Sequence, residues 1–250
     1  MRAPSHLPNS VAVKLSLTKS VSENATRERP SQIPVLVRYF DALYAAFGPQ
    51  HWWPGRSRFE IIVGAILTQN TSWKNVEAAI RNLRAEGLLT PAAIERVPFA
   101  KLARLIRASG YFRQKAKKLK AFTSFLFKTY DGSLSRMFRT STSALRKQLV
   151  SVHGIGPETA DSILLYGGNH AVFVIDAYAR RILERHGLGN PKQSYEELRS
   201  LFESSLTSDP QLFNEYHALI VETGKRFCRK SQALCSGCPL KSFLPAGAVQ

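Results

Sequence analysis

Residues 149–160 read LVSVHGIGPETA, and this segment carries the most information about the fold. Gly154 and Gly156 permit a tight turn, and Pro157 suits the first turn of a following helix. The backbone N–H groups of such a turn, at a helix N-terminus, form a concave site that fits a phosphate. An ordinary tight turn between two helices is the alternative, because short glycine patterns alone do not distinguish the two. The segment therefore predicts two helices joined by a short hairpin.

The sequence just upstream of the hairpin is strongly basic. Between Lys101 and Lys147 there are thirteen Lys or Arg residues and one acid, Asp131. The chain of 250 residues has a formal net charge of +17 and a pI near 10.2. A solvated helical face would explain scattered charge, but a stretch of one sign favours attraction to a polyanion, either nucleic acid or an anionic membrane surface. Lys115, Lys117 and Lys118 are expected to contact phosphates or to be solvated.

The sequence gives little support to a membrane protein. It has no apolar run of the roughly 18–20 residues that span a bilayer, and its first thirty residues lack a signal-peptide core. A membrane-surface protein would need a long basic amphipathic helix with an exposed apolar face, which the sequence also lacks. We therefore expect a cytoplasmic protein that associates with DNA.

Helical periodicity dominates the chain and predicts an all-α fold. Val35 to Phe47 has the apolar stripe of an amphipathic helix. Asp176 is placed as the N-cap of a helix that Gly187 ends, and Ser194 with Glu197 forms a capping box.

The motifs together resemble the endonuclease III superfamily of DNA glycosylases. Val152 to Ala160, followed by Val174-Ile175-Asp176, resembles its hairpin and catalytic aspartate, and Leu67 to Thr71 resembles its glutamine-bearing loop. Trp52-Trp53-Pro54 and Trp73 are most similar to the 3-methyladenine glycosylases of the endonuclease III type. The resemblance covers roughly residues 33–244.

This resemblance implies a two-domain helix-hairpin-helix DNA glycosylase fold with the active site in the interdomain cleft. Residues 1–32 are predicted to be a flexible basic tail, and residues 228–250 a degenerate or three-cysteine iron–sulfur loop and tail. A six-helix barrel domain would span 59–178, with the hairpin at 143–166. The second helical domain would combine residues 33–58 with 179–227.

Two acidic residues define the expected chemistry. Cleavage of an N-glycosidic bond passes through an oxocarbenium-like transition state, which a carboxylate can stabilise. By the resemblance Asp176 has this role, although a plain N-cap is the alternative interpretation. Glu158 stands where bifunctional members carry the lysine that forms a Schiff base. The resemblance therefore implies a monofunctional enzyme without lyase activity, and Glu158 itself needs no role beyond a favourable first-turn charge.

Other residues are expected to bind the base and the duplex. Trp52, Trp53 and Trp73 could stack on a flipped base, and a cationic alkylated purine would favour their electron-rich faces. The alternative is that the tryptophans are core anchors. By resemblance, Gln69 fills the gap that the flipped base leaves. The residues expected to contact DNA are Gln69, Asn70, Gly154, Ile155 and Gly156.

The three cysteines, Cys228, Cys235 and Cys238, cluster near the C-terminus, which favours a metal site or spare thiols over disulfides. Their spacing resembles the superfamily's iron–sulfur loop, but Leu244 stands where a fourth cysteine would be, and four thiolates are usual for such a cluster. Three alternatives stay open: a [4Fe–4S] cluster with one iron lacking a protein thiolate, a relic loop, or zinc with a remote fourth ligand.

The sequence thus predicts a monomeric, monofunctional glycosylase for damaged bases in double-stranded DNA, with alkylated purines such as 3-methyladenine as the expected substrates. An endonuclease III-like enzyme for oxidised pyrimidines is one alternative, disfavoured by Glu158. An adenine-mismatch glycosylase is another, disfavoured because no added C-terminal recognition domain is present. A noncatalytic helix-hairpin-helix protein that only grips DNA would not need Asp176.

Overall fold

The computed structural model describes residues 34–245, and the predicted tail 1–32 lies outside them. Apart from a single two-residue bridge between Cys228 and Ala233, no β-pairing occurs in these residues. The all-α prediction is confirmed. The helices are α1 (Val35–Phe47), α2 (Arg58–Leu67), α3 (Trp73–Ala85), α4 (Pro91–Arg96), α5 (Phe99–Leu105), α6 (Phe112–Tyr130), α7 (Leu134–Met137), α8 (Thr142–Ser151), α9 (Pro157–Ser162), α10 (Ala177–Arg185), α11 (Tyr195–Ser205) and α12 (Pro210–Arg226).

Capping side chains fix several helix starts, as the sequence predicts. Asp176 accepts hydrogen bonds from two amides at the start of α10. Ser194 and Glu197 form a complete capping box at α11. Each such cap satisfies amides that have no partner within the helix, so the boundary is set by local sequence.

The helices pack in two groups. One group contains α2 to α9, with α6 packed against α2, α4 and α5, and α8 packed against α9. The other contains α1, α10, α11 and α12, with α12 packed against both α1 and α10. The groups meet where α12 contacts the π-helical turn Ile163–Gly167 that continues α9. No helix in residues 34–245 is long and apolar enough to cross a bilayer.

A buried non-helical segment, 172–175, carries the chain from α9 to Asp176. The ring of Phe173 stacks on Phe202 with centroids 4.0 Å apart. The amide of Phe173 donates to Glu203 Oε1 (2.9 Å), and the amide of Ile175 donates to the Tyr195 hydroxyl (3.3 Å). Side chains of α11 therefore satisfy backbone groups that no helix or sheet pairs, and they fix the position of Asp176.

An ion-pair network holds the hairpin helices to α11. Arg146 on α8 binds Asp161 on α9 through two N–H···O contacts of 2.6 and 3.0 Å, and it also contacts Glu196 on α11 at 2.7 Å. Asp161 is fully buried. Because a buried carboxylate is stable only when paired, this network ties the hairpin to the element that supports Asp176.

Candidate active site

A cavity of about 380 Å³ lies between α2, α3, the start of α9 and helices α10 and α12. This volume falls within the range of small-molecule sites. The sequence-predicted residues that line it are Trp52, Trp53, Gln69, Trp73, Glu158 and Asp176. The structure thus brings together, around one cavity, the residues predicted to hold the base, to fill its gap in the duplex and to carry the chemistry.

Asp176 uses its two carboxylate oxygens differently. Oδ1 accepts from the amides of Tyr178 (2.9 Å) and Ala179 (2.8 Å) and so caps α10. Oδ2 lies 3.7 Å from Nε2 of His217, and the side chain retains 16% exposure. The two amides hold Oδ1 at the N-terminus of the helix and fix its direction. Oδ2 is therefore the oxygen available to a reacting group.

Glu158 also lines the cavity, at the first turn of α9. The residue as a whole is exposed, but desolvation of its carboxyl group by the surrounding protein and the nearby charge of Asp176 raise its pKa to about 7. Two carboxylates at one site resist simultaneous ionisation, which is the second of these causes.

The three tryptophans form one cluster at the cavity wall. The ring centroids are 5.2 Å apart for Trp52 and Trp53, 5.4 Å for Trp52 and Trp73, and 5.1 Å for Trp53 and Trp73. All three are only partly buried, so ring surface remains open. The Lys225 ammonium lies 5.6 Å from the Trp52 ring centroid, within the range of a cation–π contact. The Trp52 face therefore attracts a cation within this structure.

Gln69 is held against the hairpin. Its Nε2 donates to the Gly154 carbonyl (3.2 Å) and to the Thr159 hydroxyl (2.8 Å), and Lys118 Nζ donates to its Oε1. Asn70, the next residue, is exposed and has a φ of 53°. The Gln69 side chain therefore joins the loop of residues 67–71 to the hairpin.

The hairpin has the features of an anion site. Gly154 has a φ of 79°, and its missing side chain leaves room for the stem of Lys118. The side chain of Ile155 is buried, so it anchors the turn rather than facing solvent. A Cβ on Gly156 would meet nothing within 4 Å, and within residues 34–245 the amides of Gly154 and Gly156 donate to no protein group. Open space beside free amides suits a phosphate.

Lys115 corrects the sequence interpretation. Its ammonium is buried and donates to the carbonyls of Leu67 (2.9 Å) and Ser109 (2.6 Å), which joins α6 to α2. Burial, with Lys118 nearby, lowers its pKa to about 8. Lys115 is therefore a structural cation, not a phosphate contact. Lys117 is exposed as expected.

The cysteine residues do not fit a four-thiolate cluster. Among residues 34–245, no three Cys, His, Asp or Glu side chains converge as metal ligands. The adjoining cavity of about 20 Å³, lined in part by Leu244, holds little more than one water molecule. Arg185 donates to Cys228 Sγ (3.2 Å), and His186, the remaining candidate ligand, is bonded to Tyr39 through Nδ1 (2.7 Å). The described residues therefore offer three thiols without a converged fourth ligand.

Tyr166, Tyr178 and His217 line the cavity and were missed by sequence reasoning. Lys225, which sequence reasoning offers only as an alternative lyase amine, lines it as well. Gly224 is a sequence signal for Tyr178, because a Cβ there would lie 2.2 Å from the Tyr178 ring. A glycine inside a predicted helix indicates such close packing. Tyr111 was also missed: at 70% exposure it is the most exposed large hydrophobic residue described, at the start of basic helix α6.

Known proteins resemble this chain in sequence. The family model described as "HhH-GPD superfamily base excision DNA repair protein" matches residues 63–207. A Methanocaldococcus jannaschii protein named as a DNA repair glycosylase is 46% identical over 86% of this chain and 98% of its own length. Endonuclease III of Sulfolobus acidocaldarius is 27% identical over 75% of this chain and 82% of its own length.

Solved structures show the same architecture. The H. pylori 3-methyladenine DNA glycosylase bound to 1,N6-ethenoadenine is 30% identical, with a TM-score of 0.69 over 76% of this chain and 97% of that chain. A non-covalent endonuclease III–DNA complex is 22% identical, with a TM-score of 0.72 over 84% of this chain and 94% of that chain. The two-domain helix-hairpin-helix glycosylase fold is thereby confirmed.

Proposed function

Because the chain belongs to the HhH-GPD superfamily of base excision DNA repair proteins, we propose that it is a monofunctional glycosylase for alkylated purines. It hydrolyses the N-glycosidic bond of a damaged base, such as 3-methyladenine, that is flipped from duplex DNA into the 380 Å³ cavity. The main support for this proposal is that Asp176 and the tryptophan cluster line the same cavity.

The proposed chemistry needs a stabilised cationic sugar and a ready leaving group. As the bond to C1′ breaks, its electron pair leaves with the base, and Asp176 Oδ2 faces the positive charge that develops on the sugar. Water then adds at C1′, and one of its protons passes to the surrounding solvent, which leaves a neutral abasic sugar. An alkylated purine is already cationic, so it leaves as a neutral base without a separate general acid.

The pocket supports a cationic substrate. Indole faces favour a cation over a neutral base, and the Trp52 face already holds Lys225. Asp176 adds negative charge at the cavity, Glu158 adds more when it ionises above its pKa of about 7, and Lys225 offsets part of this charge. The similarity to the H. pylori 3-methyladenine glycosylase favours the same substrate class.

The monofunctional assignment rests on Glu158, since a carboxylate cannot form a Schiff base. The relatives named endonuclease III keep a lyase as the second candidate, because Lys225 places one amine at the cavity.

The predicted domains are part of this proposal: a barrel domain of residues 59–178 and a second domain that combines residues 33–58 and 179–227. The proposed protein is a monomer, and its partner is double-stranded DNA.

A panel of duplexes, each with one lesion, tests the proposal. We expect base release from N3- and N7-alkylated purines, with strand breaks only after alkali or heat. Borohydride added during turnover should trap no protein–DNA adduct. Release of oxidised pyrimidines with a trapped adduct that Lys225→Ala abolishes would establish the lyase instead. Tight DNA binding without release of any base would favour the noncatalytic alternative.

A further inference from the structure

His217 on α12 carries a buried ring nitrogen that the chemistry above does not use. The residue is 5% exposed, and Nε2 has no hydrogen-bond partner within residues 34–245. Buried polar atoms without partners are rare in folded proteins, so each one calls for an explanation. His217 lines the cavity, and its Nε2 lies 3.7 Å from Asp176 Oδ2.

The contact on the other side of the ring defines where the imidazole proton resides. Nδ1 is hydrogen-bonded to the hydroxyl of Tyr166, which is itself buried. Burial lowers the pKa of His217, so the neutral ring carries one N–H. When the phenol donates to Nδ1, that N–H is on Nε2, and the carboxylate facing Nε2 favours the same tautomer.

We propose that His217 is a positioning residue for Asp176: Nε2–H donates to Oδ2 and holds this oxygen toward the reacting sugar. This inference rests on the proposed function. The present separation of 3.7 Å is longer than a hydrogen bond, and catalytic hydrogen bonds commonly shorten when the substrate is bound. Tyr166, His217 and Asp176 then form a chain in which each member orients the next.

This arrangement would fix the direction of Oδ2, because Oδ1 is already held by the amides of α10. The other titratable or charged groups at the cavity are Glu158 from α9, Tyr178 from α10 and Lys225 from α12. Of these, Glu158 has a pKa of about 7, so the charge of the cavity changes near neutral pH. Kinetic comparisons of His217 variants therefore belong in a Glu158→Gln background.

The first test is independent of enzymatic activity. Long-range ¹H–¹⁵N correlation spectra of the full chain with ¹⁵N-labelled histidine report the tautomer of each ring. The His217 signals are assigned by their loss in His217→Gln. We expect the Nε2–H tautomer at neutral pH and a displaced Nε2 resonance in Asp176→Asn. An Nδ1–H tautomer, or no response to Asp176→Asn, would overturn the proposal.

The second test uses single-turnover excision of an alkylated purine at a fixed pH. We expect His217→Phe to slow excision by about tenfold or more, the effect of one hydrogen bond to a charged group. The loss should appear in the single-turnover rate and not in the affinity for the lesion duplex. His217→Gln, which returns an N–H donor, should largely restore the rate.

His170 provides a matched control, because its Nε2 is also buried without a partner in the described residues but lies outside the cavity. His170→Gln should leave the excision rate unchanged. If His217→Phe does not fold, Tyr166→Phe should also slow excision, since it removes the group that sets the tautomer. An unchanged rate in the folded variant contradicts the role of His217. A parent enzyme that releases no base contradicts the proposed function, and the NMR result then decides the hydrogen bond.

Discussion

Asp176 caps α10 through Oδ1 and, in the proposed function, stabilises the sugar through Oδ2; Asp176→Asn separates the two roles. The amide oxygen of Asn can still accept from the Tyr178 and Ala179 amides, so α10 stays capped. The negative charge beside the sugar is lost. We expect single-turnover excision to fall by at least about 100-fold, equivalent to about 3 kcal/mol of transition-state stabilisation.

Thermal melting and affinity for undamaged duplex serve as controls for this variant. The melting temperature should change little, and binding should be preserved. A fully active Asp176→Asn enzyme would remove the catalytic assignment, whereas a large loss of melting temperature would show that the cap is its main role.

Glu158 gives the site a pH dependence near neutrality. Its pKa of about 7 means that ionisation adds a negative charge to the cavity as the pH rises through this value. Excision of a cationic alkylated adenine should therefore rise through about pH 7. Glu158→Gln should abolish the rise, and a neutral lesion should not show it. An unchanged rise in Glu158→Gln would assign the titration to another group.

The same shift has a consequence for folding. The folded-state pKa of Glu158 lies above its unfolded value of 4.5, so ionisation favours the unfolded chain. The stability associated with the protonated group is present below about pH 4.5 and is lost as the pH rises through about 7. Glu158→Gln should therefore melt at a higher temperature than the native protein only at the alkaline end of this range.

At the scale of elements, the two hairpin glycines have different roles and should respond differently to alanine. Gly154 has a left-handed backbone and its Cβ would lie 2.4 Å from Lys118 Cγ, so Gly154→Ala should lower the free energy of unfolding by about 2–3 kcal/mol. Gly156 has ordinary dihedrals and open space around it. Gly156→Ala should remain folded but bind duplex DNA several-fold more weakly, because a methyl group obstructs the approach of a phosphate.

Denaturation curves and duplex affinities of the two variants are measured side by side. Equal affinities for Gly156→Ala and the native protein would show that the turn does not contact DNA and is an ordinary helix connection.

The C-terminal loop should keep its structure without a metal. Arg185 holds it through Cys228 Sγ and the Arg229 carbonyl (2.9 Å), and Arg181 donates to the Cys228 carbonyl (2.7 Å). We expect anaerobically purified protein to contain well below one iron or zinc atom per chain, and a chelator to leave its melting temperature unchanged. Arg185→Ala should lower the free energy of unfolding by about 1–2 kcal/mol. Stoichiometric iron with a brown colour would restore the cluster.

At the scale of the whole molecule, several basic residues between Lys101 and Lys147 bind other protein groups and are not available to DNA. Lys115 and Lys120 donate to backbone carbonyls, and Arg146 pairs with two carboxylates. Binding of undamaged duplex should still weaken steeply with salt, with a log–log slope of about −4 to −7. Replacing Arg113 and Lys117 on α6 by Gln should reduce this slope, whereas Lys192→Gln, after α10, serves as the comparison. A flat titration would place the basic stretch away from DNA.

The extent to which sequence predicts this molecule follows from the range of the interactions. Caps such as Asp176 and the Ser194–Glu197 box depend on residues a few positions apart, so their helices could be predicted. The burial of Lys115 depends on carbonyls supplied by α2 and by the turn before α6, and the contact of Tyr166 with His217 spans 51 residues. No local pattern encodes such contacts, so the interior of the site required the structure.

The hydrogen bonds between Gln69 and the hairpin set a free-energy cost for inserting this side chain into DNA. The resemblance implies that Gln69 enters the duplex where a base is flipped out. For this its hydrogen bonds to Gly154, Thr159 and Lys118 must first break. Each contributes about 1 kcal/mol net, so insertion is unfavourable unless weakened base stacking compensates. The protein would therefore slide over intact base pairs while Gln69 stays bound to the hairpin. It would pause only where the stacking of the DNA bases is weakened. Speed of search and selectivity for damage would then arise from the same few hydrogen bonds.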